Sequence, residues 1–106
     1  MEKHAKDKVE IIKAILALFA DEGLSYKGWI LFPVRTGAGS YCLLSPDKMR
    51  QYHFRNGGKG CLVVYDHYYA VSLRRAPVAK FELASGSKKD IQRMQVSIRR
   101  WLRAIS

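Results

Sequence analysis

Apolar residues recur every three or four places between positions 87 and 105. Ile91, Met94, Ile98, Trp101, Leu102 and Ile105 fall on one face of an α-helix at that spacing. Ser87 is the predicted N-cap, and Asp90, three residues on, is a shorter form of the capping-box acid. A second helical pattern begins at Asp7, which makes a D-x-x-E start with Glu10, and runs to Glu22. Val9, Ile12, Leu16 and Phe19 share one side, with Ile11, Ile15 and Leu18 adjoining. The second half of this helix is apolar around most of its circumference, so it is expected to be well buried or shared with a partner. Gly23 suits the C′ position and Leu24 the hydrophobic contact that follows it. Residues 1–6 are polar and expected to fray.

Between the helices the period drops to two. Residues 29–34 (WILFPV) have the aromatic and branched content of a strand, and Pro33, which cannot donate to a ladder, places it at an edge or ends it there. Residues 35–40 form a turn, and 41–44 a short strand. Ser45-Pro46-Asp47 marks a turn or a one-turn helix start. In 51–55, Tyr52 and Phe54 take one face while Gln51, His53 and Arg55 take the other. Residues 56–60 (NGGKG) are expected to form a tight or mobile hairpin tip. Residues 61–65 (CLVVY) are apolar on both faces, as in a central strand. Asp66-His67 reads as a turn, with a further strand from Tyr68 or Tyr69 to Leu73. The segment 74–77 breaks the pattern, and 78–83 alternates with Ala79, Phe81 and Leu83 inward. The order is helix, about five short strands, helix. Short turns force antiparallel pairing, because parallel pairing needs a long crossover. The expected architecture is α+β, an antiparallel sheet with both helices packed on it in one domain spanning 1–106.

The chain has 106 residues, 48% of them apolar, which suits one domain with a real core. Charge changes the picture. Nineteen Lys and Arg stand against nine Asp and Glu, a formal net charge of +10. That exceeds what a small domain needs for solubility. From Arg74 to Arg103 there are nine basic residues, with Glu82 and Asp90 the only acids. Polyanions are the simplest partners for such a surface. Cys42 and Cys61 match no zinc spacing and sit in apolar surroundings, so reduced, buried thiols are expected. No signal peptide is recognisable, and the longest apolar run, 14–20, is far too short for a membrane span. The expected location is cytoplasmic, without membrane contact, and no cofactor or metal is implied.

Candidate chemistry is sparse. Residues 59–65 (KGCLVVY) invite comparison with the RNA-recognition strand motif, which stacks bases on aromatics at alternate positions. Those positions hold Cys61 and Val63, which excludes it. Gly37-Ala38-Gly39-Ser40 lacks the Gly-Lys-Ser/Thr of a phosphate loop and precedes a strand, so it reads as a hairpin turn. Gly86-Ser87-Lys88-Lys89 opening a helix resembles the second helix of double-stranded-RNA-binding domains. That resemblance implies lysines on phosphates. Lys88 and Lys89 match, Gln92 stands where a further lysine is expected, and 24–86 is much longer than that family's three-strand sheet. His53, His67, Asp66 and Glu82 are the candidate proton handlers, with no paired carboxylates or Ser-His-Asp order among them.

The leading expectation is a small, non-enzymatic nucleic-acid-binding protein, regulatory or accessory. Lys88, Lys89, Arg93, Arg99, Arg100 and Arg103 would contact phosphates from the C-terminal helix. Arg50, Arg55 and Lys59 would do so from the glycine-tipped hairpin, since a two-stranded ribbon can enter a DNA groove. Two alternatives come from other classes. One is an adaptor or inhibitor on an acidic protein surface, with the apolar first helix also available to a second copy of the chain. The other is a ribonuclease, because the chain resembles the small basic ribonucleases of bacterial toxin–antitoxin systems, which use Arg, Lys and Tyr in such folds.

Overall fold

The computed structural model describes residues 4–21, 28–34, 40–67 and 77–105. Helix α1 (His4–Asp21) precedes β1 (Ile30–Pro33), β2 (Ser40–Leu44), β3 (Gln51–Gly58), β4 (Cys61–Asp66) and β5 (Ala79–Glu82), and α2 (Lys88–Ile105) closes the order. The strands pair antiparallel in the order β1-β2-β3-β4-β5. This is the α+β class expected from the alternation of periods. Pro33 lies on edge strand β1, where its missing N–H interrupts no central ladder.

The pairing register sorts the sheet into two faces. Leu31, Leu43 and Tyr52 are successive partners across β1, β2 and β3. Tyr41, Phe54, Val64 and Ala79 form the next row, and Leu62 faces Phe81. These side chains share one core cluster with Ile12, Ile15, Leu16 and Phe19 of α1 and Met94, Ile98 and Leu102 of α2. Both helices therefore cover the same face, α1 over β1 and β3, and α2 beside β5. The apolar circumference of α1 is largely accounted for by this intramolecular burial, although Leu18 stays exposed.

Helix α2 starts as its cap predicts. The Asp90 N–H donates to the Ser87 hydroxyl oxygen at 3.2 Å, and the Ile91 N–H donates to the Ser87 carbonyl at 3.0 Å. The Asp90 carboxylate is too short to reach back alone, and Ser85 relays it. Ser85 donates its hydroxyl to Asp90 at 2.6 Å and accepts the Ser87 N–H at 3.1 Å. The far end of α2 is held by Arg50. Its guanidinium donates to the Ile105 carbonyl and, at 2.8 Å, to the Tyr52 hydroxyl. It also lies over the rings of Trp29 and Tyr52, 5.5 and 5.7 Å from their centroids.

Two boundaries differ from expectation by more than one residue, while β4 takes in Asp66, which was expected to turn. Helix α1 begins at His4, inside the segment expected to fray and three residues before Asp7. The hairpin tip is not the whole of 56–60, because β3 continues to Gly58 and only Lys59 and Gly60 turn. Both have positive φ, 54° and 76°, as a two-residue type I′ turn requires. A β-bulge between Asn56 and Gly58 absorbs the extra residue, and the Asn56 side chain donates to the Val9 carbonyl of α1 at 3.0 Å. The expected caps at Gly23 and Leu24, the turn at 35–39 and the strand from Tyr68 or Tyr69 to Leu73 lie outside the described residues.

Gly60 is buried at this turn. Its carbonyl accepts the Leu83 N–H at 2.8 Å, which binds the tip to the exit of β5. A Cβ at Gly60 would stand 2.7 Å from the Leu83 carbonyl oxygen and 2.8 Å from Lys8 Cδ. Gly60→Ala is expected to cost at least about 2 kcal/mol, from left-handed strain plus this backbone clash. Gly58→Ala, also at positive φ but with nothing within 4 Å, carries the strain alone. Urea midpoints of the two variants check the difference.

Candidate functional site

The six cations expected on α2 are all exposed. At 100° per residue, the buried Met94, Ile98 and Leu102 define one side of the helix. Lys89, Arg93, Arg100 and Arg103 fall within an arc of about 80° centred on the opposite side. Lys88 and Arg99 lie together beyond one edge of that arc, on the side of Arg103. Arg93 lies 3.7 Å from Asp90, an exposed i,i+3 pair of small energetic weight. Arg99 is partly committed to the fold, its guanidinium 5.0 Å from the Phe19 ring centroid of α1. Lys89, Arg100 and Arg103 form no ion pair among the described residues.

The three hairpin cations do not gather with them as one surface. Lys59 sits at the turn beside the exit of β5, the end of the sheet from which α2 departs. Arg50 lies at the opposite end of the hairpin, with its guanidinium spent on Ile105, Tyr52 and Trp29. Its nearness to the helix terminus could not be read from sequence spacing, since the two residues are 55 positions apart. Arg55 is exposed on the face of the sheet away from both helices.

At the start of α2 an open cleft of about 750 Å³ is lined by Lys8, Glu10, Ile11, Ala84, Ser85, Gly86 and Ser87. The resemblance to double-stranded-RNA-binding domains implied a phosphate held here by Lys88 and Lys89. The N–H groups of Ser87 and Asp90 are already taken by Ser85 and Ser87. Glu10 also brings negative charge to the rim, turned partly toward Lys13 at 3.4 Å.

The sheet face away from the helices holds a second group that sequence reasoning left scattered. His53 Nε2 and His67 Nδ1 are 2.8 Å apart, with ring centroids 5.0 Å apart. His53 is opposite Cys42 on one side and Tyr65 on the other. Asp66, in contrast, is opposite Tyr52 on the helix-covered parity, which separates it from its neighbour His67. Cys42 and Cys61 are free thiols. Burial pushes the Cys42 thiol up, offset in part by the Gln51 side chain, which donates to its sulfur at 2.9 Å. Among the described residues, no group of three or more His, Cys, Asp or Glu stands placed to hold a metal, and no helix is long and apolar enough to cross a membrane.

His53 is held below the ordinary histidine range by burial first, then by the positive fields of His67 and Arg55. The fold thus favours neutral His53, while the unfolded chain takes up its proton near 6.5. The stabilising contribution is complete above that value and is lost as pH falls toward the folded-state pKa. The melting temperature should drop between pH 7 and 5.5, and His53→Gln should flatten part of that slope. Asp47, held below the usual carboxylate range chiefly by the Ser45 hydroxyl, titrates in a lower window and does not confound the reading.

Compared with known protein families, curated proteins and solved structures, the chain matches none.

Proposed function

We propose that the protein binds nucleic acid through α2, as a non-enzymatic regulatory or accessory factor. The observation that carries this reading is the arc of Lys89, Arg93, Arg100 and Arg103 opposite the buried stripe of the helix. Folding gains little from these charges, because exposed ion pairs are worth about 0–1 kcal/mol and Asp90 is the only acid in α2. An external polyanion gives them a role. Helix α2 has 18 residues and is about 27 Å long at 1.5 Å per residue, enough to follow several phosphates of a backbone or groove.

A titration with duplex DNA, single-stranded DNA and RNA at several salt concentrations tests the proposal. Counterion release makes affinity fall steeply with salt when cations contact phosphates. Absence of binding to all three at low salt overturns it. Cleavage of the RNA during the titration replaces it with the ribonuclease reading, and a salt-sensitive complex with an acidic protein alone replaces it with the adaptor reading.

A further inference from the structure

We infer that α2 reads B-form DNA from the major groove, with Val96 set against the 5-methyl group of thymine. The inference rests on the nucleic-acid reading above and names its substrate and a specificity-determining residue. Val96 is 49% exposed. It stands at the middle of α2 and is the one apolar side chain within the basic arc. At 100° per residue, Arg100 and Arg93 lie about 40° and 60° round the helix on one side of it, and Arg103 and Lys88 about 20° and 80° on the other. Lys89 and Arg103 are two turns before and after it, about 10 Å along the axis. Folding gives no reason for a valine here. The position is opposite the buried Met94, Ile98 and Leu102, and a branched side chain suits a helix less well than alanine, lysine or arginine.

An apolar centre between two flanks of cations matches a ligand with an apolar floor between two anionic walls. B-form DNA has that cross-section. Its major groove is about 12 Å wide, admits an α-helix and is bordered by a phosphate backbone on each side. The thymine methyl is the apolar group on the groove floor, and an apolar side chain meets it by simple contact. Gln92, one turn before Val96 and also exposed, carries an amide of the kind that pairs with adenine, the partner of thymine. Helix α1 borders α2 where Arg99 stacks on Phe19, and Arg93 and Arg100 lie on the far side of Val96 from that contact. Double-stranded RNA fits less well, because its major groove is too deep and narrow for side chains to read.

The experiment uses the full chain and three fluorescein-labelled duplexes of equal length. One is DNA of alternating adenine and thymine, the second carries deoxyuridine in place of every thymidine, and the third is RNA of alternating adenine and uracil. The alternating sequence presents a methyl group in every register, so the natural site need not be known. The wild type is expected to bind the thymine duplex about fourfold more tightly than the deoxyuridine duplex for one buried methyl group. The salt slopes of the two should agree, since their phosphates are the same. Val96→Ala should keep its melting temperature, because alanine favours the helix, while its preference for thymine over deoxyuridine falls toward one. Val96→Ile should retain the preference. Equal wild-type affinity for the two DNA duplexes, with a steep salt slope, overturns the methyl contact and leaves phosphate binding by α2 standing. A preference unchanged in Val96→Ala overturns the assignment to Val96, and RNA bound as tightly as the thymine duplex overturns the major-groove placement. No binding to any duplex removes this inference together with the nucleic-acid reading and favours an acidic protein as the partner.

Discussion

Trp101→Ala is expected to lower stability by about 3–4 kcal/mol, in the range measured for truncated aromatic core residues. Trp101 is only half-buried, which keeps the estimate at the lower end of that range. Its contacts raise it again. The indole meets the rings of Tyr52, Phe54 and Phe81 edge-on, with centroids 5.2, 5.9 and 6.2 Å away. Edge-to-face pairs contribute about 0.5–1.5 kcal/mol beyond buried area. Tyr52 in turn stacks on Trp29 and accepts the Arg50 guanidinium, so removal of Trp101 loosens the cluster that anchors the C-terminal end of α2. For a domain of this size the loss corresponds to a melting-temperature drop of at least about 12 °C. Trp101→Phe should retain much of the difference. An unchanged melting temperature in Trp101→Ala would mean that this aromatic face serves docking rather than folding.

The elements legible in the sequence were those in which one period dominates. Ile91, Met94, Ile98 and Leu102 specify α2 and its buried side, and Tyr52 and Phe54 against Gln51 and His53 specify the faces of β3. Local chemistry was legible too, as in the Ser87 cap and the Pro33 edge strand. What stayed hidden depends on partners distant in sequence. Alternation puts His53 on the face opposite that of Tyr52, but only the register places Tyr65 across from it and brings Phe32 into the same row. Arg50 looked like one more hairpin cation, and only the packing of α2 reveals that it terminates a helix. The glycines at 57 and 58 suggested a tip starting at Asn56, whereas a β-bulge lets the strand continue through them. The start of α1 at His4 was hidden by polar residues that carry no periodic signal.

The combined variant Lys89→Gln, Arg100→Gln and Arg103→Gln should bind duplex DNA on the order of a hundredfold more weakly at 0.1 M salt, if each cation meets one phosphate. Each such contact contributes about 0.9 to the salt slope on B-DNA, so the slope should become shallower by roughly 3 units. These three positions are chosen because they share the solvent arc and pair with no acid among the described residues. Arg99 is spared, since its stack on Phe19 joins α2 to α1 and its loss would mix folding with binding. Arg103 also lies in the last turn, where a positive charge favours the helix dipole by about 0.3–1 kcal/mol. Relief of repulsion among the arc cations offsets part of that loss, so stability should change by less than about 1 kcal/mol. Binding and stability thus move independently, and a circular-dichroism melt beside the titration separates them. If the folded variant binds with the wild-type affinity and slope, the helix face is not the phosphate surface, and the charge on α2 has another purpose.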